Sequence, residues 1–138
     1  MKWLALTATL VGGSFAASAN AYEITRVIDG DTVEIAVDFL PSPLPPKLSI
    51  RVMGIDTPEK APRAQCDAEA ALAKKASAFT KDAVANATEV DVKILKWDKY
   101  GGRVLGEVYL DHQSLAQSLI SAGLARPYKG EAKSSWCE

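Results

Sequence analysis

The stretch that most constrains this chain is Arg51-Val-Met-Gly-Ile-Asp-Thr-Pro-Glu59. Leu48, Ile50 and Val52 alternate with Ser49, Arg51 and Met53, the period of a strand with one buried face. Gly54 permits a bulge or a close backbone approach. Pro58 has no N–H for a ladder, so the strand is expected to end near Thr57. One cation and two carboxylates therefore collect where a strand breaks open. Taken alone, the stretch reads equally well as an edge strand with a solvated turn.

The first 21 residues read as a secretory signal peptide. Met1-Lys2 is a short positive start, Leu4 to Phe15 is an apolar and small-residue run, and Ala19-Asn20-Ala21 has the small-x-small form of a cleavage site. The apolar run is short for a membrane span. The expected mature chain, 22–138, is one domain able to bury one modest core. It is expected to be exported, periplasmic or secreted, with no membrane attachment after cleavage, and monomeric. Without Lys2 it carries 15 of the 16 basic residues against 17 acidic ones, a net charge of −2. That excludes a global basic field, so a polyanion would have to be held by a local patch or a bound cation.

Cys66 and Cys137 are the two cysteines. An even pair in an exported chain favours a disulfide; free thiols or half of a metal site are the alternatives. With one histidine, a zinc site would have too few soft ligands.

Along the chain, Ile24, Val27-Ile28, Val33, Ile35 and Val37 give two strands around Asp29-Gly-Asp-Thr32, a turn or bulge signal. Phe39 to Lys47 holds four prolines and is expected to be a stiff, exposed loop. A helix is expected from about Asp67, as N-cap, to Ala87, with Leu72, Ala76, Phe79, Ala83 and Ala87 as its apolar stripe. Strands follow at Glu89 to Leu95 and Val104 to Leu110, joined by Asp98-Lys-Tyr-Gly-Gly-Arg103. Asp111-His112 is a tight turn, and His112 is read as a turn residue and not a catalyst. A second helix runs from about Ser114 to Ala122 and stops at Gly123. The tail from Arg126 has no periodicity. Five short strands with two helices suit an α+β, mostly β fold, a closed five-stranded OB-type barrel.

Asp29, Asp31, Asp56 and Glu59 lie in two turns at strand ends. Carboxylates gathered in this way need a cation. An oxygen-only set selects a hard ion, and a loop-built set completed by carbonyls and water suits Ca²⁺. Arg51 and Arg103 could grip a phosphate, and Glu59 could take a proton from an attacking water. The chemistry indicated is phosphodiester hydrolysis. No P-loop, nucleophile elbow or His-Glu-x-x-His motif is present.

Asp29-Gly-Asp-Thr32, Arg51-x-x-Gly-Ile-Asp-Thr-Pro-Glu59 and Asp98-Lys-Tyr-Gly-Gly-Arg103 resemble the three signature blocks of the staphylococcal nuclease (thermonuclease) family. Leu115 to Tyr128 resembles its late helix and following turn. The resemblance implies a Ca²⁺-dependent hydrolase that cleaves DNA and RNA endonucleolytically with low specificity, leaving 3′-phosphates. It implies Asp31, Asp56 and the backbone carbonyl of Thr57 as calcium ligands, with Asp29 nearby. Arg51 and Arg103 would bind phosphate and Glu59 would act as general base. Tyr128 would line the nucleotide pocket, and Tyr100 is a second candidate for substrate contact.

The chain departs from the family pattern in three places: the second glycine before Arg103, the proline loop, and the absence of the family's long C-terminal helix. A Cys66–Cys137 bond would pin the tail in that helix's place. The alternative function is a non-catalytic OB-fold module that binds nucleic acid without cleaving it.

Overall fold

A computed structural model describes residues 22–99 and 101–137; the expected signal peptide and Tyr100 lie outside the described residues. The chain forms an α+β fold. Strands β1 (Ile24–Asp29), β2 (Thr32–Ala36) and β3 (Lys47–Val52) run as an antiparallel meander. The proline segment is the exposed link between β2 and β3, as its lack of donors requires. After β3 the chain turns through Met53 and Gly54 (φ +88°) and resumes as the two-residue β4 (Ile55–Asp56). The expected single strand to Thr57 is thus two pieces. Gly54 takes up the positive φ that a side chain would resist.

Helix α1 (Asp67–Asn86) follows, then β5 (Val90–Trp97), β6 (Val104–Leu110), β7 (Gln113–Ser114), α2 (Leu115–Ser121) and β8 (Arg126–Pro127). Asp111 and His112 both adopt positive φ, and Gly123 (φ +73°) ends α2, as expected. The N-cap of α1 is Cys66 and not Asp67: the Cys66 Sγ accepts from the Glu69 backbone N–H. The deepest line of α1 is Glu69, Ala73, Ala76 and Thr80, while the expected Leu72, Phe79, Ala83 and Ala87 pack partly buried beside it.

The strand order is β1-β2-β3-β6-β5, with β7 paired to β6, and β4 pairs β8 in a separate two-stranded ribbon. The six-stranded sheet is not closed into a barrel, which corrects the expectation of a five-stranded OB-type barrel. Among the described residues no ladder joins its ends, β1 and β5. The ends are handled differently. Helix α1 packs against β1. Strand β5 carries Lys93 and Lys96, and its ladder with β6 has a bulge between Ile94 and Lys96, devices that discourage further pairing at an edge. Val33, Ile35, Ile50, Val52, Val92 and Val108 fill the core with Leu115 and Leu119 of α2.

Two registers position the site. Thr32 lies opposite Arg51 across β2–β3, so Asp31 arrives beside Arg51. The parallel β3–β6 pair sets Ile50 against Val104, so the residue before Val104, Arg103, arrives at the same end of the sheet. The packing of β6 between its neighbours needs Gly106, where a Cβ would lie 2.5 Å from the Lys93 carbonyl oxygen of β5 and 3.0 Å from the Ile50 Cγ2 of β3. The Asp29–Thr32 turn is fixed to α1. A Cβ on Gly30 would meet the Ala76 Cβ at 2.7 Å, and the buried Thr80 hydroxyl donates to the Gly30 carbonyl at 2.7 Å.

Candidate active site

A small open cleft of about 60 Å³ lies at this end of the sheet, lined by Asp29, Asp31, Arg51, Thr57, Glu59 and Arg103, with Pro58, Lys60, Arg63 and Lys133. The turns expected to carry chemistry therefore do converge. Their carboxylates are matched by five cations, so the cleft has the local basic patch that the net charge of the chain does not supply.

Arg51 is held in place before any ligand arrives. One of its terminal nitrogens donates to the Val52 carbonyl at 3.3 Å, and the other to the Ile55 carbonyl at 3.1 Å. The Asp31 carboxylate stands 3.5 Å from the same guanidinium, and both side chains are largely buried. Asp31 also accepts from the Thr32 hydroxyl at 2.9 Å. Arg103 follows Gly101 and Gly102, whose φ values are +71° and +72°. The second glycine is accommodated by a second left-handed residue. The Nε of Arg103 donates to the buried Asp98 carboxylate, which fixes the direction of its side chain.

Glu59 is the half-exposed member of the cleft. Its carboxylate lies 3.4 Å from Arg63 and 3.8 Å from the Lys133 ammonium. Its backbone is anchored from beneath: Glu69, 4% exposed, accepts from the Glu59 N–H and the Gln65 N–H, each at 2.9 Å. Glu69 thus joins the start of α1 to the loop carrying Glu59.

Asp56, in the β4–β8 ribbon, is 5% exposed and is not among the residues that line the cleft. The tail covers its carboxylate. Lys133 Nζ stands 3.1 Å from Oδ1, and Trp136 Nε1 donates to Oδ2 at 3.2 Å. The tail reaches this position because Cys137 is bonded to Cys66 at the head of α1. Thr57 is buried and lines the cleft. Tyr128 does not line it; its ring contacts Lys133, whose ammonium is 5.6 Å from the ring centre. Tyr100 lies outside the described residues.

The donors suit a hard divalent cation in kind. Asp31, Asp56 and the adjoining Thr57 offer oxygen without thiolate or imidazole. Asp29 Oδ1 already has a cationic partner, the Lys60 ammonium at 2.8 Å. Among the described residues no three Asp, Glu, His or Cys side chains form a ready metal cluster. Backbone carbonyls and water would have to complete a coordination shell.

Sequence reasoning missed Glu69, Asp98, Lys133 and Trp136. Glu69 had a signal. That signal is only an acidic residue in the first turn of the helix, which does not say which N–H groups it will accept from. Asp98 sits in the arginine loop, where its local pattern signals only a turn. Lys133 and Trp136 lie in an aperiodic tail and have no local signal.

A profile of the staphylococcal nuclease homologues matches residues 49–136, which include Arg51, Asp56, Glu59 and Arg103. The chain belongs to that family. The Asp29–Asp31 turn precedes the matched span. A relative, the thermonuclease of Staphylococcus hyicus, is 32% identical over 112 residues, covering 80% of this chain and 60% of the relative. The chain thus spans about three fifths of that relative's length. Among the described residues no helix of this family member is long and apolar enough to cross a membrane.

Proposed function

We propose that the chain is an exported phosphodiesterase that hydrolyses DNA and RNA with low sequence specificity in the presence of Ca²⁺. The observation that carries this reading is the meeting of Arg51, Arg103 and Glu59 in one cleft, each held by a separate buried support. A non-catalytic binding module has no need for a carboxylate in the same cleft as two phosphate-gripping arginines.

The residues divide the work. Arg51 and Arg103 bind the oxygens of the scissile phosphate and stabilise the extra negative charge that develops on pentavalent phosphorus. Their supports fix their geometry in advance, so little reorganisation is needed during reaction. Glu59 accepts a proton from the attacking water. Lys60 and Arg63 line the same cleft and add to the field that draws in the polyanion. Asp31, Asp56 and the Thr57 carbonyl would hold the calcium ion, which supplies Lewis-acid polarisation of the phosphate when bound. The family resemblance adds 3′-phosphate products and endonucleolytic attack. The small cationic patch on an acidic chain implies strong salt sensitivity.

The test is direct. The mature protein is incubated with plasmid DNA and with RNA, in calcium or in chelator, beside Arg51→Ala. Cleavage is expected in calcium, is expected to stop in chelator, and is expected to fall by a factor of about 10² or more in the variant. Retention of nucleic acid without cleavage under every condition would replace the enzyme reading with a binding module.

A further inference from the structure

The feature left over from this reading is the tail. Asp56 is expected to hold a metal ion, yet both of its oxygens are engaged by groups three residues apart in the tail, Lys133 and Trp136. The tail is fastened on either side of them. Upstream, Tyr128 N–H donates to the Gly54 carbonyl at 2.9 Å, and β8 pairs with β4, the strand that carries Asp56. Downstream, Cys137 is bonded to Cys66. Arg126, on β8, lies over the Trp136 ring, 3.8 Å from its centre, and donates to the Ser135 carbonyl at 2.8 Å.

The geometry points to Lys133 as a tethered counter-ion that competes with the divalent cation for Asp56, its local concentration set by the Cys66–Cys137 bond. The inference rests on the calcium reading above and adds a regulator to it. A buried carboxylate needs a compensating charge. Lys133 supplies one, and also neighbours Glu59 and lines the cleft. A divalent ion on Asp56 would repel an ammonium 3.1 Å from the same carboxylate, so metal binding displaces Lys133. The coupling is reciprocal: docked Lys133 lowers the affinity for the metal by the same factor as bound metal lowers the docking of Lys133. The disulfide makes docking intramolecular, and its loss would dilute Lys133 at Asp56. Trp136 reports the event, since its indole N–H is bonded to the contested carboxylate.

The experiment measures calcium affinity by calorimetry for the mature oxidised protein and for Lys133→Met, which keeps the length of the stem and removes the charge. The variant is expected to bind calcium roughly tenfold more tightly, the equivalent of one charge-assisted hydrogen bond. In the unsubstituted protein the Trp136 indole N–H resonance is expected to shift as calcium is added. Equal affinity in the two proteins, or weaker binding by Lys133→Met, overturns the competition while leaving the calcium reading intact. No calcium binding by either protein overturns both. A Cys66→Ser/Cys137→Ser protein is expected to move in the same direction as Lys133→Met, and an affinity unchanged from the oxidised protein overturns the role of the disulfide.

Discussion

Two segments meet over the cleft, and different physics holds each there. The segment from Arg51 to Glu59 is built into the core. Ile50, Val52 and Ile55 are almost fully buried, backbone ladders run on either side of β3, and Arg51 donates to two carbonyls of its own turn. The tail from Tyr128 to Cys137 has no such foundation. Its residues 129–135 are exposed, and it is held by a disulfide, a cation–π stack, two contacts to Asp56 and hydrogen bonds at Tyr128 and Ser135. The first segment is positioned by burial and the second by cross-linking. On the proposed function, a base and a phosphate clamp would need the first kind of support, and a part that must yield to a metal ion would be better served by the second.

Cutting the cross-link is the largest perturbation of this contrast. Replacing both cysteines with serine opens a loop with a sequence separation of 71 residues. The expected loss is about 4 kcal/mol in urea unfolding, from restored freedom of the unfolded chain. A loss below about 1 kcal/mol would mean that the tail is held by its other contacts. Glu69→Ala is next, because Glu69 touches both segments through the loop it anchors. Removing a buried carboxylate leaves the Glu59 and Gln65 N–H groups without their acceptor, and about 2–3 kcal/mol of stability should be lost. Cleavage should also slow by roughly tenfold as Glu59 loosens. Unchanged turnover in a stable Glu69→Ala protein would show that the base does not depend on this anchor. Asp98→Ala is expected to be the mildest for stability, about 1 kcal/mol, since Arg103 can be solvated where it stands. Its readout is catalytic: a several-fold rise in KM or fall in kcat, with calcium affinity unaltered.

The same contrast explains what could be read in the sequence. The three loops of the cleft are written in local chemistry. Asp29-Gly-Asp-Thr32, Gly54 before Asp56, and Gly101-Gly102 before Arg103 each state where the chain must turn. Strand registers follow from alternation, and together these bring the right residues to one end of the sheet. Barrel closure was not legible. Whether β1 pairs with β5 or is packed by α1 depends on helix placement, and no periodicity in β1 encodes it. The N-cap shifted by one residue because Asp is favoured by propensity, whereas Cys66 is fixed there by its bond to Cys137. Lys133 and Trp136 were invisible for the same reason: a segment placed by a cross-link carries no pattern of its own.

The central claim is that the cleft performs chemistry and does not merely bind. The most direct measurement separates the two with Glu59→Ala and a single-stranded oligonucleotide in calcium. The variant is expected to bind the strand about as tightly as the unsubstituted protein, since Arg51 and Arg103 remain, and to cleave it about 10³-fold more slowly in a single turnover. Cleavage by Glu59→Ala at the unsubstituted rate would contradict the account.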